Sequence, residues 1–235
     1  MTYALQEQEK QQRNFLGDLS HELRTPLTYV KGYSHALLDG VITKKDEQKK
    51  HLELIIKETD QLQKLVGDVL DLTKLDSGAF DFELYPLSLA QCVEDVMTKY
   101  EYIFQNKNLE LEMSLDFDVI INGNESRIEQ IIRNLLENAI RYSDAGTQIK
   151  VDLERCNEYC TLMIADQGMG MTEEELLRVK ERFYRVKQAE TRCAGGSGIG
   201  LSIVEKLINM HGGEMSFASE QSVGTKVILR FPVVS

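Results

Sequence analysis

The stretch FLGDLSHELRTPLTYVKGY, residues 15–33, has the periodicity of a helix, yet it carries a histidine away from its apolar side and a proline near its middle. At about 100° per residue, the apolar side chains that recur from Leu16 onward fall within about 60° of one line, whereas His21 projects about 140° away from Leu16. Thr25 lies one turn beyond His21 on the same side. We therefore predict an exposed imidazole, followed by a bend where proline removes a backbone donor.

A second helix is predicted after DGVITKKDE, and the two helices together form an antiparallel hairpin over residues 1–76,. Its mostly apolar positions follow alternating steps of three and four residues: Leu52, Ile55, Thr59, Leu62, Val66, Val69, Thr73 and Asp76,. Two helices of this kind bury little core of their own, so we expect a homodimer in which two hairpins form a four-helix bundle. Gly78 and Pro86 then break the helical pattern, which predicts a linker over residues 77–86,.

The remaining residues, 87–235, mix strand and helix patterns. A helix is predicted near 90–105 and a stronger one over 125–142, while LELEMSL, DVII, TQIKVDLE, CTLMIAD and GTKVILRFP have the character of strands,. Neighbouring strands that pair as hairpins favour an α/β sandwich with helices on one face of a sheet. The predicted fold class is therefore α+β, with a helical hairpin followed by an α/β sandwich domain.

The composition limits the possible partners. The 235 residues carry a formal net charge of -11 and a sequence pI near 5.0, and the part after residue 80 accounts for -9 of that charge. General attraction to nucleic acid or anionic lipid is therefore not expected, and a bound nucleotide would need a divalent cation. The cysteines have neither metal-ligand spacing nor the density of a disulfide scaffold, so we expect reduced thiols in a cytoplasmic protein: Cys92, Cys156, Cys160 and Cys193,. A pair across a hairpin turn stays open for Cys156 and Cys160.

Two glycine-containing segments have features of phosphate-binding loops. DQGMGM, residues 166–171, ends a predicted strand, and GGSGIGL, residues 195–201, precedes the helical run SIVEKLINMHGG. Alternate glycines let backbone N–H groups approach a phosphate, and a helix N-terminus adds a favourable dipole. The first segment is neither a P-loop nor a dinucleotide fingerprint, and an ordinary turn would explain each segment separately.

A third segment, NLLENAIRY, places two kinds of side chain on different faces of one helix. Asn134, Asn138 and Arg141 lie at i, i+4 and i+7, whereas an apolar ridge that includes Ile131 and Leu135 faces the predicted sheet,. Amide carbonyl oxygens are ligands that suit Mg²⁺. The polar ridge is therefore a candidate ligand-binding face.

Taken together, these segments closely resemble the cytoplasmic kinase core of bacterial sensor histidine kinases of two-component systems. SHELRTPL resembles the H box, NLLENAIRY the N box, DQGMGM the G1 box, ERFYRV part of the F box and GGSGIGL the G2 box, in the order found in that family,. The resemblance extends over nearly the whole chain after Arg13. It implies a phosphoacceptor hairpin followed by an ATP-binding domain of the GHKL type.

The resemblance assigns the chemistry to residues of the H box. It implies that His21 accepts the γ-phosphoryl group of ATP and that Glu22 acts as the general base. Relatives with the spacing E-x-x-T, here Glu22 to Thr25, often also dephosphorylate their response regulator, with the threonine hydroxyl helping to place the attacking water.

The resemblance also implies a nucleotide site. Asn138 would be the Mg²⁺ ligand, and Asp166 would recognise the adenine amino group. The other implied nucleotide-binding residues are Asn134, Arg141, Tyr142, Gly168, Gly170, Phe183, Arg185, Gly196, Gly198, Gly200 and Leu201. Lys180 departs from the family, because relatives usually have an aromatic residue three positions before Phe183, and this puts aromatic packing under the lid in doubt.

The implied function is ATP-dependent autophosphorylation on His21 and phosphoryl transfer to an aspartate in the receiver domain of a response regulator. The implied cofactors are ATP and Mg²⁺, and the implied assembly is a homodimer that reaches a membrane only through a sensor region outside this chain. Two alternatives stay open. One is an ATPase clamp with the same fold, as in type II topoisomerases, mismatch-repair ATPases and heat-shock chaperones. The other is a nonenzymatic dimerisation module with a degenerate pocket.

Overall fold

A long helical hairpin occupies the N-terminal part of the chain. The computed structural model describes residues 2–77, 82–186 and 196–234. Helix α1 spans Thr2–Leu38 and continues through Pro26, and helix α2 spans Lys45–Ser77 and packs against it. The hairpin expected from the helical periodicity is therefore present.

The apolar stripe of the hairpin is only partly covered in a single chain. Leu19 and Leu23 pack against the core of the molecule, whereas Leu27 is 53% exposed, and Ile56 and Leu70 on α2 are similarly exposed. The side chain of His21 is 76% exposed, as its position on the helix predicted. The hairpin thus offers its histidine and a large apolar surface to solvent.

The second part of the chain is an α/β sandwich, which confirms the predicted α+β class. Strands β1 (Tyr85–Ser88) and β3 (Ile120–Gly123) form a two-stranded antiparallel sheet. A five-stranded sheet has the order β2-β4-β5-β7-β6, in which only the β2–β4 pair is parallel. Its strands are β2 (Glu110–Leu115), β4 (Gln148–Cys156), β5 (Tyr159–Asp166), β6 (Glu214–Glu220) and β7 (Gly224–Pro232).

Helices cover one face of the five-stranded sheet and close the core. They are α3 (Leu89–Lys107), α4 (Glu125–Tyr142) and α6 (Gly200–Met210), while the short α5 (Glu173–Arg178) follows β5. Alternate residues of β4 are buried under them, including Ile149 and Val151, and the intervening Lys150 lies on the other face. Asn124 begins α4 by accepting a hydrogen bond from the backbone N–H of Arg127,.

The connection between the hairpin and the sandwich is described only in part. Residues 78–81 of the predicted linker lie outside the described residues. β1 begins at Tyr85, which pairs with Gly123 of the sandwich. The last two positions of the predicted linker are therefore already part of the small sheet.

The cysteines that the structure describes are free. In the β4–β5 hairpin, Cys156 pairs with Tyr159 and Cys160 with Arg155, so the two thiols project to opposite faces of the sheet,. The possible pair between Cys156 and Cys160 is therefore wrong, and Cys193 lies outside the described residues. Among the described helices, none is both long and apolar enough to cross a membrane.

The C-terminal half of α2 docks on the sandwich. Leu65 and Leu72 of α2 are 4% and 0% exposed and belong to the same core cluster as α4 and α6. Burying a leucine side chain contributes about 1.5–3 kcal/mol. The hairpin and the sandwich therefore share an apolar contact, around which the polar contacts described below are arranged.

A buried histidine directly follows α6 and is held by two hydrogen bonds. The Nε2 atom of His211 accepts the backbone N–H of Asn124 at 3.1 Å, so its Nδ1–H donates to the carbonyl oxygen of Leu207 at 2.7 Å,. Burial lowers the pKa of His211 below its ordinary value of 6.5, although the bond to Leu207 acts in the opposite direction. Protonation would place a second N–H against the Asn124 donor.

We expect this histidine to reduce stability as the pH falls below about 6.5, because the unfolded chain then binds the proton more readily than the folded one. Between about pH 7.5 and pH 5.5, urea denaturation should show a larger loss of unfolding free energy for the parent than for His211→Gln, whose amide can make both hydrogen bonds without titrating. His35→Gln, which changes an exposed histidine of α1, should behave like the parent. An equal loss in the parent and in His211→Gln would contradict this role.

Candidate active site

A single cleft brings together most of the residues predicted to bind a nucleotide. It lies between α4, the end of β5 and the start of α6, and α2 forms part of its wall. The predicted residues that line it are Asn134, Asn138, Arg141, Tyr142, Asp166, Gly170, Arg185, Gly196, Gly198, Gly200 and Leu201. Two segments far apart in sequence, DQGMGM and GGSGIGL, thus meet at one helix.

Asp166 supplies a buried carboxyl group to this cleft. Its Oδ1 accepts backbone N–H groups from Gly168 at 2.9 Å and from Thr225 at 3.3 Å. Burial raises the pKa of Asp166 to about 6, while the two backbone hydrogen bonds act against that rise,. The carboxyl is therefore fixed through one oxygen, which leaves the group oriented for a donor on a ligand.

Gly168 lies beside the cleft and does not line it. A Cβ at Gly168 would stand 2.4 Å from the carbonyl oxygen of Tyr142, and one at Gly170 would stand 1.9 Å from that of Glu220. Gly170 also has a positive φ of 61°,. These two glycines let the segment after β5 pack between the end of α4 and the turn that follows β6.

The polar ridge of α4 faces the cleft, as its spacing predicted. Asn134 is 7% exposed, and its amide nitrogen lies 3.5 Å from the carbonyl oxygen of Gly200. Asn138, one turn further, is half-buried and lines the cleft. Ile131 is buried in the core, and Leu135 is buried and also lines the cleft. α4 therefore carries a core face and a cleft face.

The donors in this cleft fit Mg²⁺ held through few protein ligands. Among residues 2–77, 82–186 and 196–234, no group of three His, Cys, Asp or Glu side chains is arranged to hold a metal ion. The amide oxygen of Asn138 is a hard ligand, and Mg²⁺ in nucleotide sites usually takes its other ligands from phosphates and water. Asn138 therefore fits the part of a single protein ligand.

The glycine segment before α6 approaches basic and backbone groups closely. Gly196, at a φ of 110°, lies so near Arg141 that a Cβ there would stand 2.7 Å from Nη1. Gly198, at a φ of 66°, accepts the backbone N–H of Phe183 at 3.0 Å. The segment leads into the N-terminus of α6, which favours an anion. Residues 187–195, which include the first glycine of GGSGIGL, lie outside the described residues.

Phe183 is not placed in the cleft. Its ring packs against Phe15 of α1 with centroids 5.6 Å apart, and its backbone has a φ of 62°. The predicted role of Phe183 in covering a nucleotide stays a prediction, whereas its contact with the hairpin is what the structure shows.

Lys180, which stands where the resemblance predicted an aromatic residue, makes a charged contact. Its Nζ forms an ion pair with Glu205 of α6 at 2.9 Å and lies 5.8 Å from the ring centroid of Phe217, which lines the cleft. The aliphatic stem and the ammonium group thus connect the segment after α5 to both α6 and β6. We infer that an ion pair replaces aromatic packing at this position.

The H-box residues lie on α1, outside the cleft. The Nδ1 atom of His21 is 3.9 Å from Oε1 of Glu22, which is too long for a hydrogen bond,. The hydroxyl of Thr25 is 3.4 Å from the carbonyl oxygen of His21. Of the described residues that line the cleft, none comes from α1.

The structure adds cleft residues that the sequence did not indicate. Lys64 and Asp68 reach the cleft from α2: Lys64 forms an ion pair with Glu137 of α4, and Asp68 accepts the hydroxyl of Ser197 at 2.9 Å. Thr225 also lines the cleft. For Thr225 the sequence offers one indication, its position after a glycine at the start of a strand. For Lys64 and Asp68 it offers none, because nothing in the pattern of α2 shows that this helix docks on the sandwich.

Glu137 is held ionised by its neighbours. Burial alone would raise its pKa, but the hydrogen bond and charge of Lys64, with a hydrogen bond from the Tyr100 hydroxyl at 2.8 Å, hold the pKa of Glu137 below its ordinary value. The charge of the carboxylate that precedes Asn138 in the chain is thus balanced mainly by Lys64 of α2, with a smaller contribution from Arg141 of α4.

Two family models match the two parts of the chain. The model described as "His Kinase A (phospho-acceptor) domain" matches residues 11–78, and the one described as "Histidine kinase-, DNA gyrase B-, and HSP90-like ATPase" matches residues 123–235. A phosphoacceptor hairpin joined to an ATPase domain of this type defines the class of protein as a histidine kinase core.

Individual relatives agree with that class. The sensor protein SrrB of Staphylococcus aureus is 31% identical over 95% of this chain and 38% of its own length, and the sensor histidine kinase WalK of Bacillus subtilis is 31% identical over 98% and 38%. The structure of the histidine kinase AdeS of Acinetobacter baumannii has a TM-score of 0.74, at 25% identity over 92% of this chain and 98% of AdeS. The chain belongs to the family of two-component sensor histidine kinases, and it spans 38% of the length of the two sensor proteins.

The ion pair of Lys180 yields a prediction about nucleotide affinity. Lys180→Glu should weaken binding of a nonhydrolysable ATP analogue by about two- to fivefold, the range expected for a partly exposed pair, because the segment that carries Arg185 loses its anchor. Titration calorimetry measures the dissociation constant. The double variant Lys180→Glu/Glu205→Lys, which restores the pair in reverse, should regain most of the loss.

Lys99→Glu is the matched control for the change of charge. Lys99 forms an ion pair with Glu129 at 3.0 Å in the same domain, but neither residue lines the cleft. A similar loss of affinity in Lys99→Glu, or no recovery in the reversed pair, would show that Lys180 does not position the cleft.

Proposed function

We propose that this chain is an ATP-dependent protein-histidine kinase core that phosphorylates itself on His21 and passes the phosphoryl group to an aspartate of a response regulator. The observation that carries the proposal is the combination of an exposed His21 on the hairpin with a cleft that gathers Asn138, Arg141, Asp166 and the glycine segment before α6. Family membership supports the same function. The proposed division is residues 1–76 for dimerisation and phosphotransfer, 77–86 for the linker and 87–235 for ATP binding.

In the cleft, we assign Asp166 to the adenine amino group, because its carboxyl is fixed through Oδ1 by two backbone donors. Arg141, Arg185 and the backbone around Gly196 are assigned to the phosphates, where positive charge and N–H groups are gathered,. Asn138 would hold Mg²⁺, which neutralises phosphate charge when bound. Such a site performs most of its catalysis by positioning and charge stabilisation.

On the hairpin, we assign the nucleophile and its base to neighbouring residues. Glu22 would take the proton from Nδ1 of His21 while Nε2 forms a bond to the γ-phosphorus, and the bond to the β–γ bridging oxygen breaks to release ADP. The present 3.9 Å between Nδ1 and Glu22 must shorten for this transfer,. General-base assistance of this kind contributes about 10²- to 10⁴-fold.

The transfer requires the two parts of the chain to change their relative position. The wall of the cleft now includes Lys64 and Asp68 of α2, and none of its described residues comes from α1. We therefore propose that the ATP-binding domain leaves its contact with α2 before the γ-phosphate reaches His21. The docked arrangement would be a resting state of the kinase.

We propose a homodimer as the working assembly. The exposed apolar residues of the hairpin are those that a second hairpin would cover in a four-helix bundle, for example Leu27, Ile56 and Leu70,. The partner that receives the phosphoryl group would be a receiver domain, which must approach the exposed face around His21. Attachment to a membrane would come through a sensor region outside this chain.

Replacement of the acceptor tests the assignment directly. His21→Gln should abolish labelling of the protein by ATP labelled in its γ-phosphate with Mg²⁺ present, and it should leave the affinity for ATP nearly unchanged, because the acceptor and the cleft are on different elements. The label on the parent should be acid-labile and stable to base. His35→Gln and His51→Gln are matched controls on the same hairpin and should keep the label.

The outcome separates the kinase from the other functions. Labelling that persists in His21→Gln would move the acceptor elsewhere. ATP hydrolysis by a parent that never acquires a base-stable label would favour an ATPase clamp, and a parent that binds no ATP would favour a dimerisation module.

We also propose that the chain removes phosphate from its response regulator and that Thr25 places the attacking water. Thr25→Ala should keep autophosphorylation within about threefold of the parent but slow the decay of a purified phosphorylated regulator about tenfold or more, because an orienting hydrogen bond acts only in hydrolysis. The decay is measured with ADP present. Thr28→Ala, one turn further from His21, is the control, and equal decay in the parent and Thr25→Ala would leave the protein a kinase only.

A further inference from the structure

A carboxyl group of the hairpin contacts the glycine segment that we assign to the phosphates. Asp68 lies near the middle of the docked half of α2, and its Oδ2 accepts the hydroxyl of Ser197 at 2.9 Å. Ser197 stands between Gly196 and Gly198, and its Oγ also lies 3.3 Å from the backbone N–H of Ile199 at the start of α6. Burial of Asp68 in this position raises its pKa, while the hydrogen bond from Ser197 acts against the rise.

The hydroxyl of Ser197 cannot serve Asp68 and a phosphate together. A serine hydroxyl has one proton to donate, and here that proton is directed at Asp68, while its lone pairs face Ile199,. A phosphate oxygen in the same segment would need the donor that Asp68 now holds. In addition, a carboxylate beside a triphosphate is a like charge in a partly desolvated cleft, where repulsion is stronger than in water.

Other contacts along the docked face of α2 do not share this conflict. Asp71 accepts Gln130 at 2.9 Å and lies 3.4 Å from Arg127, and Asp76 accepts Arg182 at 3.0 Å. Neither carboxylate lines the cleft, whereas Asp68 does. The contacts of Asp71 and Asp76 therefore stabilise docking away from the nucleotide, and Asp68 stabilises docking within its site.

We propose that Asp68 takes the place of a phosphate group at Ser197, so that docking of α2 and binding of the nucleotide triphosphate oppose each other. This inference rests on the proposed ATP site. It adds a residue, Asp68, that affects the affinity for the phosphates and not the affinity for the adenine. Because the coupling between two binding events is reciprocal, a triphosphate also weakens the contact of α2 with the ATP-binding domain. Nucleotide entry thus favours release of the hairpin, the step that His21 needs.

The test compares ligands with and without phosphates. Asp68→Asn removes the charge but keeps an oxygen that can accept from Ser197, and Asp68→Ala removes both. Titration calorimetry with a nonhydrolysable ATP analogue and Mg²⁺ should show a dissociation constant at least about fivefold lower in Asp68→Asn than in the parent, which is a typical coupling between two sites. The decrease in Asp68→Ala should be at least as large. Binding of adenosine, which lacks phosphates, should be unchanged in both variants.

Asp71→Asn is the matched control for docking itself. It weakens docking from the same face of the same helix without changing the cleft, so by the same coupling it should raise the affinity for the analogue in the parent but add little further gain in Asp68→Asn, where docking no longer opposes the phosphates. An Asp71→Asn gain that is equally large in both backgrounds would overturn the proposal. Equal affinity of the parent and Asp68→Asn for the analogue, or equal gains for the analogue and for adenosine, would also overturn it. A parent that binds neither ligand would instead contradict the ATP site.

Hydrogen exchange gives a second measurement on the unmodified chain. The ATP analogue should increase exchange in residues 62–75 of α2 in the parent, whereas adenosine should not. In Asp68→Asn the same segment should change less on adding the analogue, because the conflict has been removed. An increase of the same size in both proteins would contradict competition at Ser197.

Discussion

Helix α4 is the element on which the rest of the structure depends, because it contacts the sheet, the cleft and α2 through three different surfaces. Its apolar ridge, with Ile128, Ile131 and Leu135, is buried against the sheet. Its amide ridge faces the cleft, and a third surface that includes Arg127 and Glu137 meets α2. The helix can therefore neither rotate nor shift without exposing apolar area, and this constraint fixes the positions of the cleft residues relative to the sheet.

The contact between the hairpin and the sandwich combines a small apolar centre with partly exposed polar pairs. Leu65 and Leu72 supply the burial, whereas the side chains of Lys64 and Glu137 are 44% and 25% exposed, and those of Arg182 and Asp76 are each 38% exposed. Pairs that water still reaches contribute about 0–1 kcal/mol each, so they specify the docked geometry more than they strengthen it. An interface of this composition suits a contact that can be released, as the proposed reaction requires.

The sequence predicted the parts of the fold that depend on local pattern. The hairpin, helix α4 and the β4–β5 hairpin follow from periodicity, and the exposure of His21 follows from its angle on the helix. The cleft was predictable through motif resemblance, since glycine segments and an amide ridge carry their function in residue type and spacing. Strand β6, EMSFASE, was not predicted, because its polar residues alternate only weakly with apolar ones,.

What the sequence could not predict is which surface of one domain meets the other. Asp68 and Asp71 have the same residue type on the same helix, yet only Asp68 lines the cleft, and that difference arises from the docking geometry alone. Phe183 likewise packs on Phe15, a contact between residues far apart in the chain that no motif encodes. In the proposed reaction His21 is reached first by a γ-phosphate and then by a receiver domain, which requires its helix face to stay uncovered. Docking of the sandwich on α2 leaves that face open, since the side chain of His21 is 76% exposed, and in the proposed cycle this contact stabilises a resting arrangement without covering the acceptor.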